Sequence, residues 1–156
     1  MKPVIKAIKK PNLKLLDRLT ESVENLQRVS VGVPSGKQEA DGTPTALVAA
    51  VHEYGAPGAG IPERPFLRNT IVANLGDYKR LNRVNVVKVL RGSMTMETAL
   101  GQLGLMAQGH VQQFIRNNDY ALSEETKKRK GSTKALIDTG QLVQSITFEI
   151  DHDKHS

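Results

Sequence analysis

The sequence has no cysteine and no tryptophan, and aromatic residues make up only 4% of its 156 positions. Without cysteine, disulfide staples and thiolate metal sites are excluded, which suits a reducing compartment without requiring one. With so few aromatics the core has to come mainly from Leu, Val, Ile and Ala, and the apolar fraction is a modest 38%. No apolar run approaches the roughly 18 residues of a membrane-spanning helix. The opening MKPVIKAIKKPN also lacks the continuous apolar stretch of a signal peptide. These absences lead us to expect a soluble protein, made in the cytoplasm, with no membrane partner.

What is present is positive charge, a formal +6 at pH 7. Such a balance suits an acidic partner, either nucleic acid or protein. The length suits one domain, expected over residues 1–150, since a chain of this size buries roughly 70% of its unfolded surface.

Apolar periodicity sets the expected elements. KPVIKAIK at 2–9 reads as a short edge strand. Leu15, Leu16, Leu19, Val23 and Leu26 recur at helical spacing, giving an amphipathic helix from Leu13 to about Gln27. In RVSVGVP, Val29, Val31 and Val33 alternate as in a strand with one buried face, stopped by Pro34. Thr45 is the expected N-cap of a helix ending at Gly55. Pro65 suits the first turn of the next, with Phe66, Leu67, Thr70, Ile71 and Leu75 on one face. Residues 78–93 fit a strand or a helix equally. Met96, Leu100, Leu103, Ala107, Val111 and Phe114 keep helical spacing between Met94 and Asn117. Gly101, Gly104 and Gly109 weaken that helix but allow close packing.

Residues 118–134 read as a mobile polar loop within the domain. A turn at Asp138-Thr139-Gly140, a short helix at 141–145 and a strand alternating Ile146, Phe148 and Ile150 follow. Residues 151–156 read as a disordered tail. The sum is α+β: a small antiparallel sheet packed with three or more α-helices.

Catalytic and metal sites are poorly supported. His52-Glu53 begins like a zinc-protease motif, but the position four after His52 is Ala56, and Gly55 breaks the helix first. The pair is expected to cap or hydrogen-bond near the helix end. His110 lies with Ala107 and Phe114, as a satisfied core or interface histidine would. His152 and His155 fall in the tail. GVPSGK misses the phosphate-loop spacing, with three residues between Gly32 and Gly36 and Gln38 after Lys37. No nucleophile elbow or carboxylate pair stands out. The expectation is a protein that is not an enzyme and needs no cofactor or metal. The run Lys127, Lys128, Arg129 and Lys130 is a candidate contact for phosphate or an acidic partner, with no aromatic beside it to stack on bases.

The segment 55–65 holds three Gly and three Pro, an elaborate way to join two helices. Residues before proline are pushed out of the α region, so Ile61 and Arg64 are expected to be extended. A stiff arm results, which loses little entropy on docking.

Three segments in order add a resemblance. VAAVHEYGAPGAGIPERPFLRNTI resembles the His-Glu-x-Gly … Ile-Pro-x-Arg-Pro-Phe-Leu signature of the tail-component and virion-morphogenesis proteins of tailed bacteriophages. ALSEETKKRKGSTKALID is similar to their polar loop. LIDTGQLVQSITFEI resembles their Leu-x-x-Thr-Gly-x-Leu-x-x-Ser-Ile ending. Together these span about residues 48–150. The resemblance implies a structural virion protein of the neck or head-proximal tail end, made in the host bacterial cytoplasm and acting in tail completion or head–tail joining. It implies a ring of copies of itself, most often six, around the channel through which phage DNA passes. Tail-tube, tail-terminator or neck proteins would be its neighbours. Ile61, Pro62, Arg64, Pro65, Phe66 and Leu67 match the family's arm, and Asp138, Thr139, Gly140, Leu142 and Ser145 match its C-terminal turn. GAPGAG is longer and more flexible in composition than the shortest family versions, which implies contacts with a neighbour of its own. The alternative reading is a basic nucleic-acid-binding protein.

Overall fold

The structure is a computed structural model. It describes residues 27–39, 41–117 and 140–152, together with Lys14 and Asp17. The expected strand at 2–9, the loop at 118–134 with its Lys127–Lys130 cluster, and Asp138 and Thr139 lie outside the described residues. Of the helix expected over 13–27, Lys14 and Asp17 are described and both are helical.

Among the described residues the order is β1 (Gln27–Gly32), α1 (Thr45–Tyr54), a 3-10 turn (Pro57–Ala59), α2 (Phe66–Ala73), α3 (Leu75–Leu90), α4 (Met96–Asn117), α5 (Gln141–Ser145) and β2 (Thr147–His152). The fold is α+β. β1 and β2 pair antiparallel, with Val31 opposite Phe148 and Val29 opposite Ile150. Strict alternation puts these four on one face, toward α4, while Ser30 on the other face donates to Asp151 Oδ2 at 3.0 Å. The strand continues through Asp151 and His152, which pair with Arg28 and Gln27. The expected tail is therefore corrected at these two positions: ladder bonds outweigh the polar composition.

α4 is the spine. Its buried residues are Ala99, Gly104, Ala107, Val111 and Ile115, so the stripe is offset from the one expected. Small residues face inward because the sheet, α2 and α3 all close on this helix. Gly104 marks the tightest point. A Cβ placed there would lie 2.3 Å from a Phe148 ring carbon and 2.9 Å from Val29. Gly101 and Gly109 face open space, so close packing explains only Gly104 of the three.

The main core joins Ala49 of α1, Phe66 of α2, Val111 and Ile115 of α4, and Leu142, Val143 and Ile146 at the C-terminal turn. Phe66, Val111 and Ile115 are fully buried. At roughly 1.5–3 kcal/mol for each large apolar side chain buried, this cluster carries much of the stability.

Two local expectations need correction, the Thr45 cap and the place of Leu75, and one open stretch is resolved. Pro44, not Thr45, occupies the cap position of α1. Thr45 is the first helical residue and is fully buried, with its N–H donating to Lys37 O at 2.9 Å. The ambiguous stretch 78–93 is mostly helical, as α3. Asn74 breaks the chain between α2 and α3, so Leu75 leaves the α2 face and is exposed.

Candidate functional site

The proline-framed segment begins where α1 ends. Gly55 has φ 72, a left-handed value suited to glycine. A Cβ there would also sit 2.8 Å from Glu63 N and 3.0 Å from Ile61 O, so both conformation and space demand glycine. The chain then closes a small loop. Ala56 N–H donates to Ile61 O at 2.8 Å, and Ile61 N–H returns to Ala56 O at 3.1 Å. Inside it Pro57–Ala59 form a 3-10 turn, and Gly60, at φ 67, donates to Pro57 O at 3.0 Å. Composition alone suggests flexibility here; the paired backbone gives these residues a defined shape.

Beyond the loop the chain doubles back. Arg64 N–H donates to His52 O at 2.6 Å, which ties the arm to the end of α1. Pro65 precedes α2 and offers no side-chain cap, so the first N–H groups of that helix need an acceptor from elsewhere. Glu53 supplies it. Its Oε2 accepts from Leu67 N–H at 2.9 Å and its Oε1 from Arg68 N–H at 3.0 Å. A carboxylate at a helix N-terminus also gains from the helix dipole. Arg68 then reaches back, with Nε 2.9 Å from Glu53 Oε1 and Nη2 2.6 Å from Glu53 O and 3.2 Å from Glu63 Oε2. Its guanidinium lies over the Tyr54 ring, 5.3 Å from the centroid. Hydrogen bonds to Glu53, then to Glu63, push the Arg68 pKa still higher.

The His52-Glu53 pair is thus part of a helix junction, as its place at the end of α1 led us to expect. Glu53 is buried, and both its carboxylate oxygens are occupied by donors. Sequence reasoning does not single out Arg68. The available signal is Pro65, which leaves α2 uncapped and so calls for a buried carboxylate and a counter-ion. His110 also has a local partner, since its Nδ1 lies 3.1 Å from the Tyr78 hydroxyl. Among the described residues no group of three or more His, Cys, Asp or Glu is arranged to hold a metal.

The arm residues divide by exposure. Pro57, Gly58, Ala59, Gly60, Pro62 and Glu63 are exposed, Ile61, Pro65 and Leu67 are half-buried, and Arg64 and Phe66 are buried in their own chain. Phe66 is a core residue here, so the surface the arm offers is its tip. At the C-terminal turn, Gly140 has φ 77 and precedes α5. Leu142 is buried in the same core as Phe66, and Ser145 is buried as well. Gln141 donates through its side-chain amide to Gln38 O. The arm and the turn, far apart in sequence, therefore meet in one core.

Comparison with protein-family models, with curated proteins and with solved structures finds no match. The class the fold defines is α+β, with a backbone-closed loop standing out from a helix junction.

Proposed function

We propose that this chain is a structural component of a tailed-bacteriophage virion, a ring-forming tail-completion or head–tail joining protein, with a non-catalytic role. Two supports carry the reading. The first is the ordered resemblance of the arm, the polar loop and the C-terminal turn. The second, and the single structural observation it leans on, is the loop at 56–61. Its tip is exposed while its base is fixed by paired backbone bonds, by the Arg64–His52 tie and by the Glu53–Arg68 junction. A preformed tip loses little entropy when it docks.

A ring requires two unlike surfaces on each subunit that meet head to tail. The tip is one of them. Its partner surface lies on the next copy, or on a neighbouring tail-tube, tail-terminator or neck protein, around the DNA channel.

The test is a substitution that leaves the fold alone. Gly58 is exposed, its φ is not left-handed, and a Cβ added there would meet only open space, so Gly58→Arg changes the tip and little else. Particle mass of the purified chain should fall from a ring to a monomer, with an unchanged thermal melt. A Gly58→Arg chain that still forms full-size particles would remove the tip from the interface.

A further inference from the structure

α3 carries an unusual share of the charge. Lys79, Arg80, Arg83, Lys88 and Arg91 lie on it or at its C-cap, against one acid, Asp77, and all five cations are exposed. Five minus one is +4, set against +6 for the whole chain. Arg80 pairs with Asp77. Among the described residues no carboxylate forms an ion pair with Lys79, Arg83, Lys88 or Arg91.

Helix geometry gathers most of these on one side. Tyr78 and Asn85 mark the buried face. At 100° per residue, Lys79, Arg80, Arg83 and Arg91 fall within about 70° of the opposite side, while Lys88 lies nearer the buried face, about 180° round the helix from Lys79. Lys79 and Arg83 are one turn apart, about 6 Å along the axis, and Arg91, about 80° further round the same outward side, lies about 18 Å along the axis from Lys79.

From this charge and spacing we propose that the solvent face of α3 binds duplex DNA through its phosphates, without reading sequence. Two further features select this ligand. No aromatic side chain is exposed on the face, so stacking on unpaired bases is unsupported and a duplex is favoured over a single strand. The apolar residues among the cations, Val84, Val86 and Val87, are short and 39–48% exposed. They lack the large aromatic anchors on which protein interfaces depend. The site is separate from the loop tip and does not require ring formation.

The experiment measures binding of the full chain to a 20-base-pair duplex of arbitrary sequence, by fluorescence anisotropy, between 50 and 200 mM salt. Three phosphate contacts give a slope of log K against log salt of about −2.7, so affinity falls roughly fortyfold over that range. The triple variant Lys79→Gln, Arg83→Gln, Arg91→Gln keeps good helix formers. Its slope should flatten to about −1 or less, with its circular dichroism and melting unchanged. A second variant, with Gln at 127–130, should keep most of the slope. The opposite ranking, or no duplex binding by the unaltered chain at 50 mM salt, overturns the proposal. So does a helix variant that loses affinity for polyglutamate but not for the duplex, which would assign the face to an acidic protein.

Discussion

The two sides of α4 are built differently. Toward α1, α2 and α5 it buries an apolar cluster in which Phe66, Val111, Ile115 and Ile146 have almost no exposed surface. Toward α3 the seam rests on polar contacts. Tyr78 meets His110, with ring centroids 5.5 Å apart. Asn85 Nδ2 donates to Gln102 Oε1 at 3.0 Å and reaches Ala99 O at 3.4 Å, while Asn85 Oδ1 is buried without a partner among the described residues. A filled apolar cluster stabilises by area removed from water; a polar seam gains little net energy but fixes how two helices register. The contrast teaches where strength and adaptability sit. The loop is mounted on the strong side, and the basic face is carried by the helix on the weaker side.

The sharpest way to break this contrast is Phe66→Ala. It should cost about 3–5 kcal/mol, the range for emptying a fully buried aromatic site, read from a urea melt. A loss under about 1 kcal/mol would mean the cluster is not the main source of stability. Because that variant destabilises the subunit itself, it cannot report on assembly; Gly58→Arg can.

Next comes the junction. Glu53→Ala leaves the first N–H groups of α2 without their acceptor and strips Arg68 of its buried partner, for about 2–3 kcal/mol. A cost indistinguishable from that of Glu63→Ala, an exposed carboxylate, would show that burial of the Glu53 cap adds nothing.

Gly104→Ala tests the sheet's seat on α4. Helix propensity favours alanine by up to about 1 kcal/mol, but the new methyl would overlap the Phe148 ring. The clash should prevail, with a net loss of about 1–3 kcal/mol by thermal melt. A stabilised variant would mean that Phe148 moves aside freely.

On the polar seam the effects should be small. Asn85→Leu removes an imperfectly paired buried amide and should change stability by less than about 1 kcal/mol, in either direction. The subtlest readout is Tyr78. Burial, and secondarily the charge of Asp77, raises its pKa above the usual tyrosine value. A raised pKa favours the folded state while the phenol stays protonated. That contribution is whole below about pH 10 and is lost as the pH rises through the higher folded value. Absorbance at 295 nm should therefore show one tyrosine ionising late, and Tyr78→Phe should remove that step. Tyrosines that all ionise together would contradict the burial of Tyr78.

Legibility in the sequence follows locality. The Val29/Val31 and Phe148/Ile150 alternation is readable because a strand's side chains switch faces at every residue. Gly55 is readable as a helix stop because a left-handed backbone position is encoded by one residue. The α4 stripe is harder to place, because apolar bulk points to one face while three neighbouring elements crowd the helix and select small residues at Ala99, Gly104 and Ala107. Phe66 reads from sequence as part of a presented arm because the prolines around it are visible there and its pocket is not.

By itself, then, the chain's order of residues determined the α+β class, the antiparallel strands, the C-terminal end of α1 and the proline-framed stretch from Pro62 to Pro65. These follow from backbone restrictions and short-range periodicity, which act over a few residues. Only the tertiary structure decided that Glu53 caps α2, that Arg68 clamps the junction, that Phe66 and Leu142 share one core, and that most of the α3 cations gather on an outward face. Each of those depends on groups brought together across many residues or on which side of a helix is covered, and such proximity is created by packing.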